Sequence, residues 1–111
     1  MASKYHAKKV TIDGHTFDSI KEADRYCELK LLEKAKVISG LEIQPEYMLQ
    51  EPFSCDGGWE KAITYRADFR YKENGKTIVE DVKGFKTDVY KIKRKLFLKR
   101  YGDELIFKEI R

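Results

Sequence analysis

At 111 residues the chain has the length of one domain with a single modest core. With 41% hydrophobic residues and no low-complexity run it is not a disordered chain, and 23 Lys+Arg against 19 Asp+Glu is too mild an excess to name a partner by itself. Cys27 and Cys55 form neither a disulfide framework nor a metal-ligand spacing, so a reducing, cytoplasmic setting is expected.

The opening residues MASKYHAKKV are polar and basic, and a flexible basic arm is expected over residues 1–9. They carry no apolar run for a secretory signal, and no later segment is apolar enough to span a membrane. Val10 to Phe17 alternates around Asp13-Gly14, which predicts a small hairpin or turn. His6 and His15 stand alone and read as surface histidines rather than metal ligands.

From Phe17 to Gly40 the spacing predicts a helix. Ser19 and Glu22 fit a capping box, and Asp18 adds negative charge at the N-terminus. Ala23, Tyr26, Cys27, Leu31, Leu32 and Ala35 form the expected buried stripe, and Gly40 the stop. Glu22 thus has a structural explanation; its functional alternative is a third acidic group at a site built elsewhere. Leu41 to Gln50 alternates as one strand, with Pro45 marking an edge or a bulge and Gln44 on the polar face. Glu51 to Lys61 reads as a loop joining two strands, in which Trp59 closes a hydrophobic edge or stacks on a base.

Ala62 to Gly84 is the central stretch. Asn74-Gly75 between alternating runs predicts a type I′ hairpin, because both residues tolerate positive φ. That register sets Tyr71 against Ile78, Phe69 against Glu80, Asp68 against Asp81, Ala67 against Val82 and Arg66 against Lys83. One face should then hold Ile63, Tyr65, Ala67, Phe69, Tyr71, Ile78 and Val82. The other should hold Asp68 and Asp81 together, with Lys83, Thr64, Arg66 and Arg70. Opposed carboxylates destabilise a sheet unless something neutralises them. Two readings stay open here: a divalent cation between the aspartates, or a solvated face on which Lys83 and Arg66 balance two surface charges.

Thr87 or Asp88 should cap a second helix ending at Gly102, with Val89, Ile92, Leu96 and Phe97 buried. Lys91, Lys93, Arg94, Lys95, Lys99 and Arg100 cover the rest, and no acidic residue lies between Asp88 and Asp103 to pair with them. That bias favours phosphate contact, with Arg66, Arg70 and Lys86 adding to it. Leu105 to Ile110 is a last strand that returns parallel to an earlier one. The fold class is α/β: a small mixed sheet with a central antiparallel hairpin, flanked by helices, in one domain spanning residues 1–111.

The helix opening Phe17-Asp18-Ser19-Ile20-Lys21-Glu22-Ala23, the YRADF run and Asp81-Val82-Lys83 on the hairpin partner together resemble the PD-(D/E)XK nuclease superfamily. More narrowly, Thr11 to Leu96, including LEIQPEY and EDVKGFKTDVYKIKRKLF, is similar to small phage-associated endonuclease-like domains, and more distantly to transposon-end-cutting nuclease subunits and Holliday junction resolvases. The resemblance implies a restriction-endonuclease-like core and a metal-dependent DNA endonuclease using Mg²⁺ or Mn²⁺. It implies Asp68 and Asp81 as metal ligands with the Val82 main-chain carbonyl, Lys83 as the residue that orients or activates water, and Glu22 as the helix glutamate completing the catalytic set and the metal site. Gln44 matches an accessory polar position. Ala67 stands where the superfamily has proline. Glu80 falls on the opposite face from Asp68, so Asp81 is the acidic residue of the motif. The implied substrate is branched or otherwise structured DNA of a phage or prophage in a bacterial host cell, with a homodimer where two strands are cut. A nucleic-acid-binding module that keeps the scaffold but cuts nothing is the alternative. A third reading is an interaction subunit with an apolar patch at Trp59 and Phe53.

Overall fold

The computed structural model describes residues 8–111; most of the expected arm, and His6, lie outside the described residues. Among the described residues ten strands and two helices follow in chain order: β1 Val10–Ile12, β2 His15–Phe17, α1 Ile20–Lys34, β3 Ser39–Ile43, β4 Glu46–Gln50, β5 Phe53–Cys55, β6 Gly58–Glu60, β7 Ile63–Arg66, β8 Phe69–Glu73, β9 Lys76–Val82, α2 Asp88–Tyr101 and β10 Ile106–Ile110. A four-stranded mixed sheet runs β10-β9-β8-β3. β8 pairs antiparallel with β9 and with β3, and β10 returns parallel to β9. The fold is α/β, as expected. Among the described residues no helix is long and apolar enough to cross a membrane.

Asn74 and Gly75 make the predicted turn, with φ of 53° and 76°, and the ladder runs in the expected register from Glu73↔Lys76 to Phe69↔Glu80. There the ladder ends. The chain breaks at Ala67-Asp68, and β7 pairs with β4 instead of continuing along β9. The predicted pairings of Ala67 with Val82 and Arg66 with Lys83 are therefore absent. Opposite the break, the expected strand Leu41–Gln50 also breaks, at Gln44-Pro45, into β3 and β4. The two irregularities are bonded to each other: the Gln44 N–H donates to the Asp68 carbonyl (2.8 Å), and the Ala67 N–H to the Pro45 carbonyl (3.0 Å). Pro45 offers no N–H to a regular ladder, and Gln44 takes a left-handed φ of 54° to get round it. The strand pair bends as a unit.

The bend exchanges faces. Phe69, Tyr71, Ile78 and Val82 pack under α1 with Phe17, Ala23, Tyr26, Leu29 and Ile38. Tyr65 and Ala67, expected on that same face, lie on the other, with Val79, Tyr90 and Phe97 under α2. A one-residue interruption flips alternation in this way.

Both helices bury only part of the expected stripe: Ala23 and Tyr26 on α1 and Phe97 on α2 are buried as expected. On α1, Leu29 is buried while Cys27 and Leu31 are exposed. The helix stops at Lys34 rather than running on to Gly40, which lies in β3. On α2, Thr87 is the N-cap, accepting from the Tyr90 N–H, and Gly102 closes the helix. The buried residues there are Tyr90 and Phe97, whereas Val89, Ile92 and Leu96 are exposed. The segment read as a loop forms a small ribbon, β5–β6, around Asp56-Gly57. Trp59 is two-thirds exposed and pairs with Ser54, while Phe53 pairs with Glu60, so the two aromatics lie on opposite faces of the ribbon and make no single patch.

Candidate metal centre

The bend positions Asp68. Where β8 leaves β9, the Val82 N–H loses its strand partner, and Asp68 Oδ2 takes that bond at 2.6 Å. Asp81 reaches the same region from β9. Its Oδ2 accepts from the Tyr65 hydroxyl, which the face exchange has brought under α2. Its Oδ1 is buried and has no hydrogen-bond partner, although Lys83 Nζ lies 3.1 Å away as an ion pair. Lys83 in turn sits over the Tyr90 ring, 4.2 Å from its centroid, so one ammonium is held between a carboxylate and an aromatic face.

Glu22 enters from the first turn of α1. Its backbone N–H donates to Ser19 Oγ (3.1 Å), the expected cap. Its carboxyl also lies against Asp68. Burial first, then the negative charge of Asp18, push the Glu22 carboxyl above its ordinary range; hydrogen bonds from the Asp18 backbone and the Asp68 side chain oppose this, and Asp81 adds to the rise. Asp68 is pushed up to about 8, chiefly by burial, then by the charges of Asp81 and Glu22, against the pull of the Val82 N–H and Lys83. Glu22 and Asp68 thus lie within reach of one another's charge and of the charge of Asp81, which Lys83 pairs. The cap uses the Glu22 backbone N–H and leaves its carboxyl facing Asp68.

This donor set fits a hard divalent cation. Asp81 Oδ1 is neutralised only by the Lys83 ammonium, 3.1 Å away and outside hydrogen-bond geometry, and Asp68 gives up its proton only reluctantly without added positive charge. Among the described residues no three His, Cys, Asp or Glu side chains are grouped so that they could hold a metal ion together. Mg²⁺ does not require three: it keeps several waters and takes one or two carboxylates. Asp68 and Asp81 would hold it, with the Val82 carbonyl available on the edge that β8 vacates.

Other expected site residues are employed differently. Arg70 is bound by Glu42 (Nη2 to Oε1, 2.8 Å) and donates to the Tyr47 hydroxyl (2.9 Å). Lys86 pairs with Glu109 at 2.9 Å and Arg94 with the same carboxylate at 3.3 Å. Burial raises Glu109, but hydrogen bonds from Tyr90 and Lys86 outweigh it and hold the carboxyl below its ordinary range. These three cations are therefore not idle. Arg66, Lys91, Lys93 and Lys95 have no ion-pair partner among the described residues. Gln44 lies at the bend beside Asp68, and its Nε2 donates to the Thr16 carbonyl at 3.4 Å.

Glu80 is set apart, as the register requires. It is fully buried on the α1 face, where Arg25 clasps both oxygens (2.7 and 2.6 Å) and the Tyr71 hydroxyl donates to Oε2. Tyr65 and Tyr90, which hold Asp81 and Lys83, were not legible as site residues, because the regular alternation places Tyr65 on the wrong face. Pro45 opposite Ala67 is the signal that the alternation would break.

The sequence profile of DUF1064, described as a protein of unknown function, matches residues 2–110. The chain belongs to the DUF1064 family. No curated protein matches the sequence. What this DUF1064 chain does chemically is therefore read from Glu22, Asp68, Asp81 and Lys83 themselves.

Proposed function

We propose that this protein is a divalent-metal-dependent endodeoxyribonuclease. The observation that carries the reading is the placement of Asp68, Asp81 and Lys83 at the end of β9, with Glu22 beside Asp68 and Asp81 Oδ1 paired only with the Lys83 ammonium. A phosphodiester carries its own negative charge, which repels a nucleophile. A bound Mg²⁺ or Mn²⁺ would offset that charge and lower the pKa of a water. Asp68 and Asp81 would hold such an ion, Tyr65 fixing one oxygen of Asp81 and leaving the other to Lys83 and the ion. Lys83, steadied by Tyr90, holds the attacking water or the scissile phosphate by its ammonium. Glu22 accepts a hydrogen bond from water on the α1 side. Arg66 and Lys91 contact phosphates, which gives affinity without sequence information and suits a choice by DNA structure.

The resemblance to small phage-associated endonuclease-like domains carries with it a phage or prophage setting, the cytoplasm of a bacterial host, and branched DNA such as a Holliday junction as substrate. One active site cuts one strand, so resolving a junction requires two copies. The second reading is a binding module without cleavage. One observation favours it: Asp68 is already employed in capping the Val82 N–H, a structural task that needs no metal.

Incubating the purified protein with junctions, flaps, nicked and linear duplexes in Mn²⁺, with and without chelator, separates the two. The nuclease reading expects chelator-sensitive cleavage that Asp68→Ala, Asp81→Ala and Lys83→Ala each abolish while DNA binding persists. Binding without cutting would assign the module; full activity in Lys83→Ala would remove the assignment of this site.

A further inference from the structure

We infer that the outer face of α2 docks an acidic amphipathic helix of a partner protein. Helix α2 is apolar on two sides. One packs on the sheet through Tyr90 and Phe97. The other carries Val89 (62% exposed), Ile92 (61%) and Leu96 (45%), and Ile63 of β7 (41%) stands beside them. Together they line one shallow groove with Lys93 as its only charged residue. Positions 89, 92 and 96 have the i, i+3, i+7 spacing of a helix–helix seam. Scattered exposed aliphatics are ordinary, but a contiguous stripe in register with a groove is the mark of a binding face.

The flanks choose the occupant. Lys93 is four residues on from Val89, and Lys95 and Lys99 are three on from Ile92 and Leu96, so cations border the stripe on both sides. No acidic residue interrupts the helix between Asp88 and Asp103. A second copy docking α2 on α2 would bring lysines against lysines. A helix with apolar residues at the same spacing and glutamates or aspartates beside them would satisfy both the stripe and its border. DNA would use the lysines and leave the four aliphatics in water.

The test uses the full chain and two stapled helical peptides. Both carry leucines at i, i+3 and i+7; one has glutamates on the flanks and the other lysines. Fluorescence anisotropy should detect binding of the glutamate-flanked peptide alone, weakened by added salt. Ile92→Asp and Leu96→Asp, both at exposed positions, should each weaken it at least about tenfold, the worth of one buried aliphatic side chain. Circular dichroism confirms that these variants stay folded. Equal binding of both peptides, no binding, or binding undiminished in the variants would overturn the inference. Sedimentation showing a dimer that Leu96→Asp dissociates would give the face to a second copy and overturn it as well. No DNA enters the assay, so the outcome is independent of the nuclease reading.

Discussion

At the scale of single residues, the site is governed by charge held against solvent. Asp68 has its folded pKa raised to about 8 from 3.8, with burial the main cause. A carboxyl shifted upward contributes stability while protonated. That contribution is complete below the unfolded value and is lost as pH rises through the folded value. Metal-free protein should therefore lose thermal stability between about pH 4 and pH 8. Asp68→Asn keeps an oxygen for the Val82 N–H and cannot ionise, so melting curves in chelator should lose much of that slope. Identical pH profiles for the two proteins would mean that Asp68 is not a strained carboxylate. Arg25 gives a prediction of the opposite kind. Removing it by Arg25→Ala leaves Glu80 buried with only the Tyr71 hydroxyl, and should cost about 3 kcal/mol in urea unfolding. A loss below about 1 kcal/mol would show that water reaches Glu80 readily.

The element scale shows what periodicity conveys and where it stops. Asn74-Gly75 was legible because few residue pairs accept two positive φ values, and the ladder beside it followed by counting. Gly75→Ala should destabilise by about 1 kcal/mol, since Cβ opposes a φ of 76°, and chemical denaturation would register it; no change would mean the turn relaxes to another type. Counting failed past Phe69, because alternation assumes an unbroken strand and Pro45 breaks the neighbouring one. So Asp68 was assigned a partner across a ladder that does not exist there, yet still reaches Asp81's neighbourhood through the bend. Tyr65 changed faces for the same reason. On the helices the caps Ser19 and Thr87 were legible from local chemistry. Which of two apolar stripes turns inward was not, because Tyr90 and Val89 both satisfy a helical period and only the sheet's aromatic packing, Tyr65 and Phe107 among it, decides between them.

For the whole molecule, two layers of packing meet at one end of β9. Glu22 arrives on α1, which covers one face of the sheet, and Lys83 is steadied by Tyr90 of α2, which covers the other. The bend in the long strand pair opens the sheet between them. A cation there would draw both layers together, and folding would then be coupled to metal binding. If Asp68 and Asp81 hold a divalent ion, titration calorimetry of Mn²⁺ into the protein at pH 8, where Asp68 is about half ionised, should register it. Mn²⁺ binding should be saturable in the native chain and lost in Asp81→Asn at unchanged circular dichroism. Absent binding, or undiminished binding by Asp81→Asn, would contradict a metal site at this pair.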